Sequence, residues 1–466
     1  MKRGWIERLL NTVADHSLEL IGRQVRSNNT TQGDADLCHR LVEGVGEASN
    51  VALAREILKR WDNMDDDRRL QFLNTLASEF NPDPDAIIAA ASAYRPDDPD
   101  SLYQLQKVTE PPRQELFRRL NMAPKGTVSL VNMRTFLLNN LKNNPLLKSV
   151  DADFQHLLAS WFNRGFLHLE RIDWNTPAAV LEKLLRYEVV HPMSGWDDLR
   201  RRLAEDRRCF AFFHPALPQD PLIFVEVALT QNMVHQINPL IDPLAPVTNP
   251  LEANTAVFYS INNALSGLRG VSFGNFLIKQ VVSELNSEFP NIDTYITLSP
   301  ITHMRDALLG LLNKPDQVEL VDALEHLIGE RLIKLNYEDP DVHPMVTLDS
   351  IMLHPISKDL HIQLDPILHD LVLFYLTQYK RGQHVFDHVA NFHLSNGARI
   401  ERVNPFANIS DRGLHDSWGC MVNYRYEAAQ VVSNHEAYVR DGRVALSKKL
   451  DREYRQLISN ASFEVS

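Results

Sequence analysis

The chain is organised around residues 258–300, which read FYSINNALSGLRGVSFGNFLIKQVVSELNSEFPNIDTYITLSP. An apolar run over 256–261 predicts a β-strand that leads into a glycine-containing loop. Apolar residues then recur at helical spacing from 278 to 285, which predicts an amphipathic helix. A second apolar run over 295–298 predicts another strand, and Ser299 and Pro300 follow it. We therefore expect this stretch to form a strand–loop–helix–strand unit of a mixed sheet.

The loop between the first strand and the helix has the chemistry of an anion-binding site. The first turn of a helix presents backbone N–H groups without partners and a partial positive charge, and glycines let the backbone come close to a ligand. Such a loop suits a phosphate or pyrophosphate. The candidate pyrophosphate-binding residues are Arg269, Gly270, Val271, Ser272, Phe273, Gly274 and Asn275. Taken alone, the motif is also compatible with an ordinary glycine-containing loop between a strand and a helix.

Composition and charge bound the class of protein. The chain has 466 residues, enough for two or three domains, and its 44% hydrophobic and 23% charged residues are ordinary for a globular protein. A net charge of −12 argues against general nucleic-acid binding. No apolar run reaches the roughly 18 residues of a membrane span, and three scattered cysteines indicate a reducing compartment. Because neither end carries a recognisable targeting signal, we expect a cytoplasmic protein.

The pattern of secondary structure changes near residue 165. Residues 1–165 carry helical apolar stripes, the first of them over 6–13, and predict a helical bundle used for packing or oligomerisation. Residues 166–466 predict a mixed α/β catalytic domain. Its first strands are predicted over 167–172, 209–214 and 222–229.

The rest of the second part alternates helices and strands. Helical patterns over 303–335 and 366–379 predict insertions that cover the sheet. Residues 389–401, VANFHLSNGARIE, predict a β-hairpin around a Ser-Asn-Gly turn. The run of three arginines at 200–202 is typical of a solvated helix face, with binding of the nucleotide's phosphate as the alternative. The histidines have no metal-ligand spacing, so no metal site is predicted.

Seven sequence blocks together are far more specific than the glycine loop. They read HPMSGWDDLRRRL, RRCFAFFHPALPQDPLIFVEVALT, FYSIN, GLRGVSFGNFLIKQVVSEL, LSPI, VANFHLSNGA and MVNYRYE. Their order and spacing resemble the malonyl-CoA decarboxylase family over residues 166–430. The run RGVSFGNFLI is also similar to the R-G-x-G-x-G-x-x-L-[IL] run with which GNAT-type acyltransferase folds hold the pyrophosphate of coenzyme A.

The resemblance implies an α+β fold, with a helical N-terminal domain over 1–165 followed by a GNAT-like catalytic domain over 166–466. It implies conversion of malonyl-CoA to acetyl-CoA and carbon dioxide without a metal or an organic cofactor, since coenzyme A is part of the substrate. It also implies a homo-oligomer, a dimer or a tetramer. The expected partners are malonyl-CoA and further copies of the chain, rather than nucleic acid or a membrane.

The resemblance also assigns roles to individual residues. Ser299, in the LSPI block, matches the catalytic serine of the family, and His393, in VANFHLSNGA, matches its catalytic histidine. Ser260 in FYSIN and Tyr426 in MVNYRYE match supporting polar residues of the pocket. The division of work between Ser299 and His393 stays open.

Two positions depart from the family pattern. Ser272 stands where the family often has a glutamate, so a supporting carboxylate is missing or is supplied from elsewhere. Residues 302–304 read Thr-His-Met, where family members commonly read Pro-Gly-Phe. We expect the turn after Ser299 to be less rigid than a proline turn, with His303 as a new titratable neighbour.

Decarboxylation of a β-carbonyl thioester suits these residue types. The thioester accepts the electron pair of the breaking bond, so the protein has only to orient the malonyl group, stabilise an enolate oxygen and deliver a proton. A serine hydroxyl and an imidazole can perform these tasks. Two alternatives are an acyltransferase on the same fold, which needs a base and an acceptor channel, and a non-catalytic sensor that binds malonyl-CoA intact.

Overall fold

The computed structural model describes residues 31–44, 46–271, 277–337, 341–354 and 356–460 of the chain. The chain divides into two compact units. The first consists of Met1–His168, Phe213–Leu222 and Asn263–Gly274, and the second of Leu169–Phe212, Ile223–Asn262 and Asn275–Ser466. The helix expected over 6–13 lies outside the described residues. Within the described ranges, the helices are too short or too polar to span a bilayer.

The first unit is helical, as its apolar stripes predict. Its helices are α1 (Thr31–Glu43), α2 (Glu47–Asn63), α3 (Asp66–Glu79), α4 (Pro84–Ala93), α5 (Pro99–Thr109), α6 (Pro112–Asn121), α7 (Gly126–Asn140) and α8 (Leu147–Trp161). Leu73, Leu116 and Leu137 are fully buried in this unit. The helices that carry these leucines, α3, α6 and α7, therefore each supply side chains to the core, whereas α4 and α5 contribute no buried residue.

The second unit is built on a mixed sheet. The strands are β1 (His168–Ile172), β2 (Arg207–Phe213), β3 (Ile223–Thr230), β4 (Thr255–Asn263), β5 (Thr294–Thr297), β6 (Ser299–Pro300), β7 (Lys380–Arg381), β8 (His384–Val385), β9 (Arg399–Asn404) and β10 (Met421–Tyr426). The main sheet has the order β1-β2-β3-β4-β5-β10-β6, with β9 also paired to β10, and β7 and β8 form a separate ribbon. β4 and β5 are parallel, whereas β10 runs antiparallel to β5, β6 and β9.

Helices cover this sheet. They are α9 (Ala178–Tyr187), α10 (Trp196–Arg202), α11 (Asn238–Ile241), α12 (Leu277–Glu288), α13 (Met304–Leu311), α14 (Val318–Lys334), α15 (Pro344–Met352), α16 (Lys358–Gln378), α17 (His388–Ser395), α18 (Asp411–Ser417), α19 (Val431–Asp441) and α20 (Lys448–Asn460). Leu324, Leu368 and Val422 belong to one buried cluster, so the inserted helices α14 and α16 pack on the sheet. The predicted class is confirmed: an α+β chain whose helical N-terminal part precedes a mixed α/β part with helical insertions.

The strand–loop–helix–strand prediction for residues 256–298 is confirmed. β4, α12 and β5 occur in that order, and the two strands pair in parallel with Phe258 opposite Thr297. The central part of the loop, residues 272–276, lies outside the described residues. The parallel pairing brings the chain to Ser299 directly after a buried strand end.

The β-hairpin predicted over 389–401 is wrong. The segment forms helix α17, and only then strand β9. Asp387 caps the helix by accepting a hydrogen bond from the backbone N–H of Ala390, and the buried side chains of Ala390, His393 and Leu394 follow helical spacing. Gly397 ends the segment with φ +82°, which a glycine adopts readily after a helix.

The arginine run at 200–202 is not a uniformly solvated face. Arg200 is exposed, but Arg201 and Arg202 are buried and paired. Arg201 lies 2.7 Å from Asp206, and Arg202 lies 2.8 Å from Glu226. Asp206 immediately precedes β2 and Glu226 lies on β3, so two of the three cations point towards the sheet.

Candidate active site

Ser299 occupies a junction of three strands. It is the first residue of β6, two residues beyond the end of β5, and lies opposite Val422 of β10. Only 6% of its surface is exposed. The Ser299 hydroxyl lies 2.9 Å from Oγ1 of Thr297 and can donate a hydrogen bond to it.

Helix α17 brings His393 to the same place. The imidazole is buried, and its Nε2 lies 3.0 Å from Ser299 Oγ. Its Nδ1 lies 2.8 Å from the hydroxyl of Tyr426 on β10. Ser299, His393 and Tyr426 therefore form one hydrogen-bonded chain, which we call the serine–histidine cluster.

The protons of this cluster can be placed from two pKa directions. Burial lowers the pKa of His393 to about 3, so the imidazole is neutral near pH 7. Part of the Tyr426 side chain is exposed, but burial raises the pKa of its hydroxyl well above the ordinary value of about 10. Tyr426 therefore keeps its proton and can donate to Nδ1. That arrangement leaves the proton of the neutral imidazole on Nε2, directed at Ser299.

Neighbouring side chains hold the cluster in place. The Tyr424 ring stacks on the imidazole at 4.5 Å between centroids. The backbone N–H of Tyr424 donates to Thr297 Oγ1 at 3.1 Å, and the Asn423 amide donates to the Thr297 carbonyl at 2.7 Å. The sequence reasoning missed Thr297, Tyr424 and Asn423. The alternation of the MVNYRYE strand was the available signal, because Tyr424 and Tyr426 lie two residues apart and so share one face of β10.

Ser260 belongs to a second polar group. Its hydroxyl donates to Glu188 Oε2 at 2.8 Å and accepts from the Asn262 amide at 2.6 Å. Glu188 also accepts from the Asn262 amide and, through Oε1, from the backbone N–H of His191. Phe258 of β4 pairs with Thr297 of β5, and a serine follows each of them two residues later. Ser260 and Ser299 therefore lie at the same end of the β4–β5 pair. The Ser260 hydrogen bonds that the structure describes run to Glu188 and Asn262.

Only part of the predicted pyrophosphate loop is described. Arg269, Gly270 and Val271 follow a short 3-10 turn, and Gly270 has φ +80°, a conformation that favours glycine. The predicted contacts of Ser272, Phe273, Gly274 and Asn275 lie outside the described residues. Elsewhere in the described part of the chain, no group of three or more His, Cys, Asp or Glu side chains is placed to hold a metal ion.

Fold and site together define a two-part α+β enzyme with a buried serine–histidine pair. A family model described as "Malonyl-CoA decarboxylase C-terminal domain" matches residues 165–463, and one described as "Malonyl-CoA decarboxylase N-terminal domain" matches residues 80–162. The chain belongs to the malonyl-CoA decarboxylase family.

Individual relatives agree with this assignment. The chain is 34% identical to mitochondrial malonyl-CoA decarboxylases of Anser anser anser, over 73% of this chain and 69% of the relative, and of Rattus norvegicus, over 77% and 74%. Among solved structures, malonyl-CoA decarboxylase from Rhodopseudomonas palustris is 42% identical with a TM-score of 0.82, covering 91% of this chain and 100% of the other. The enzyme from Agrobacterium vitis is 41% identical with a TM-score of 0.79, covering 90% and 98%.

Proposed function

We propose that this chain converts malonyl-CoA to acetyl-CoA and carbon dioxide, with Ser299 and His393 as the catalytic pair. The activity follows from family membership, which favours it over acyl transfer. The roles of the two residues rest on the 3.0 Å contact between Ser299 Oγ and His393 Nε2, groups that are 94 residues apart in the chain.

For this reaction the protein has mainly to position the substrate and to donate hydrogen bonds to it. As the carboxylate leaves as carbon dioxide, the electron pair of the broken carbon–carbon bond moves into the thioester and forms an enolate. A proton then adds to the α-carbon and gives acetyl-CoA. The thioester is the electron sink, so we propose that neither a metal nor an organic cofactor takes part. Dialysis against a chelator should then leave turnover unchanged.

The neutral state of His393 decides its role in this proposal. A buried imidazole with a pKa of about 3 is a hydrogen-bond donor through Nε2 rather than a standing cation. In the structure the Nε2–H is directed at Ser299 and the serine hydroxyl at Thr297, so we propose that the bound substrate takes these two donors to its carboxylate or to the developing enolate oxygen. Losing one such donor typically lowers the rate by about 10²–10³. Because the pair is desolvated, these hydrogen bonds are stronger than the same bonds in water.

The test is an assay with malonyl-CoA and no acceptor, followed by chromatography of the coenzyme A esters. The wild-type chain should form acetyl-CoA, and Ser299→Ala should lower kcat by about 10²–10³ while KM changes little. Thr377→Val is a suitable control, because it removes another buried hydroxyl, one that donates to the Leu373 carbonyl within α16. Wild-type turnover in the Ser299→Ala variant would exclude Ser299 from the mechanism.

Further parts of the site are also proposals. We propose that Arg269, Gly270, Val271, Ser272, Phe273, Gly274 and Asn275 hold the pyrophosphate of coenzyme A. Gly270→Ala should then raise KM much more than it lowers kcat, because an alanine at φ +80° is strained and displaces the loop. We propose Ser260, held by Glu188, as a supporting residue of the pocket.

The assembly and location of the chain are proposals too. We propose a homo-oligomer, a dimer or a tetramer, with the helical part over 1–165 contributing to assembly, and no nucleic-acid or membrane partner. Light scattering of the purified full chain tests the assembly. A cytoplasmic location stays a prediction, which fractionation of the source cells with an antibody to the chain would check.

A further inference from the structure

A buried carboxyl group lies at the start of the helix that carries His393. Asp387 is only 3% exposed and is the N-cap residue of α17. Its Oδ1 accepts a hydrogen bond from the backbone N–H of Ala390 at 2.8 Å. His393 follows six residues later on the same short helix, so any movement of the cap moves the imidazole.

The same carboxyl group also meets the turn that follows Ser299. The backbone N–H and the hydroxyl of Thr302 lie close enough to Asp387 to favour its charged form. The Thr302 hydroxyl also lies 3.1 Å from Nδ1 of His388, the first residue of α17. Thr302 comes three residues after Ser299, so one residue pair connects the two segments that supply the catalytic groups.

Asp387 is an unfavourable choice if its task is only to cap the helix. Burial raises its pKa to about 7, and its Oδ2 has no hydrogen-bond partner of good geometry among the described residues. Asparagine caps a helix about as well and carries no charge to bury. The structure thus retains a carboxyl group where an amide would cap equally well.

The groups that face Asp387 are weakly acidic or neutral. They are the Tyr375 hydroxyl from α16 and the Tyr424 hydroxyl from β10, each of which feels the charge of Asp387. Tyr424 is the ring that stacks on His393. Next to Asp387 in the chain, burial, and then the neighbouring His303, lower the pKa of His388. No cation compensates the carboxylate among these groups.

We propose that Asp387 is a positioning residue of the decarboxylase: its carboxylate caps α17 at the point where the Thr302 hydroxyl meets His388, and so sets the distance between Ser299 and His393. The proposal rests on the proposed function. The ionised carboxylate accepts more hydrogen bonds than the protonated acid, so the two segments are held more firmly after Asp387 loses its proton. Turnover should therefore rise as the pH increases through about 7.

The test compares wild type with Asp387→Asn across pH 5.5–8.5. Asparagine keeps the cap, so the variant should fold. At every pH its kcat should equal the low value that wild type has at pH 5.5, about tenfold below the wild-type plateau. Its KM should be nearly unchanged. Burial also raises the pKa of Glu226 to about 7, so a fall in wild-type kcat at acid pH does not by itself identify Asp387. The diagnostic result is that Asp387→Asn loses this fall, the acid limb of the pH profile.

Two further variants make the test specific. Asp65→Asn replaces the N-cap residue of α3, where the side chain accepts from Arg68 N–H, and should leave kcat and the pH profile unchanged. Thr302→Val removes the hydroxyl but keeps the N–H, and should lower kcat by a few-fold while the acid limb remains. An unchanged acid limb with wild-type kcat in Asp387→Asn would overturn the proposal.

A second measurement does not depend on turnover. In ¹⁵N-histidine NMR spectra, the resonances of the His393 ring should shift through about pH 7 in wild type and not in Asp387→Asn. If the wild-type chain formed no acetyl-CoA but this shift occurred, the proposed function would fail and the positioning role would stand. A flat wild-type response in an active enzyme would overturn the positioning role alone.

Discussion

Two buried histidines of the second unit, His393 and His191, differ in their partners and not in their burial. Burial lowers the pKa of each to about 3. Both ring nitrogens of His393 are engaged, one with Ser299 and one with Tyr426. Nε2 of His191 has no hydrogen-bond partner among the described residues, and the charge of Arg202 further lowers its pKa. A depressed pKa therefore does not by itself identify a catalytic histidine, whereas the chain of partners does.

The surroundings of the two histidines differ in the same way. The serine–histidine cluster contains only neutral groups that share protons along hydrogen bonds. Around His191, fully buried charges compensate one another: Arg202 lies 2.8 Å from Glu226 and also donates to the His191 carbonyl at 3.2 Å. Neutral donors that are held in place can stabilise charge as it develops on a substrate, while paired charges are already committed to each other. The first arrangement suits chemistry and the second suits structure.

The largest expected effect comes from exchanging the two histidines for asparagine in turn. His393→Asn should lower kcat by about 10²–10⁴ with KM nearly intact, because it removes the donor next to Ser299. His191→Asn should leave kcat within a few-fold of wild type in the folded fraction. Steady-state kinetics with malonyl-CoA decides between them, and comparable losses in both variants would erase the contrast.

The next effect concerns stability rather than rate. Glu226→Leu leaves Arg202 buried without its partner and should lower the free energy of unfolding by about 3–5 kcal/mol. The charge-free pair Arg202→Met with Glu226→Leu should recover much of that loss, because no buried charge then lacks a partner. Urea denaturation followed by tryptophan fluorescence measures both. If the single and double variants were equally unstable, the arginine–glutamate pair would not act as a unit.

A smaller stability effect separates Asp387 from Glu226. Both have a pKa raised to about 7 by burial, but only Glu226 has a guanidinium beside it. A carboxyl group whose pKa is higher in the folded than in the unfolded chain loses stabilising power as pH rises through the folded value. Asp387→Asn should therefore stabilise the chain at pH 8 by about 2 kcal/mol and leave it unchanged or less stable at pH 5. Denaturation midpoints at the two pH values give the sign, and a variant destabilised at pH 8 would contradict it.

The smallest expected effect comes from Tyr426→Phe. The change removes the hydrogen bond to His393 Nδ1 but keeps the ring, so the imidazole loses its fixed tautomer and not its place. We expect kcat to fall about tenfold, with KM unchanged. Tyr454→Phe, which removes the hydroxyl bonded to Gln378 on α16, is the matched control. Equal kinetics of the two variants would mean that Tyr426 does not orient His393.

Much of this architecture could be predicted from local pattern. The periodicity of 256–298 placed β4, α12 and β5 correctly, since alternation and helical spacing act over a few residues. The same reasoning failed at 389–401, where a Ser-Asn-Gly turn suggested a hairpin. A single aspartate cap and three buried side chains on one face make that segment helical instead. The arginine run was also misplaced, because the burial of Arg202 depends on Glu226, 24 residues further along the chain.

The amino-acid sequence was enough to predict the α+β class, the strand that leads to Ser299 and, through seven ordered blocks, the family. Contacts between distant parts of the chain decide that His393 projects from a helix, that Tyr426 bonds to its Nδ1, and that Ser260 bonds to Glu188. The physical reason is the range of the interactions involved. Side-chain periodicity depends on residues that are close together in the chain. The 3.0 Å contact joins groups 94 residues apart, and it requires that β10 pairs with both β5 and β6.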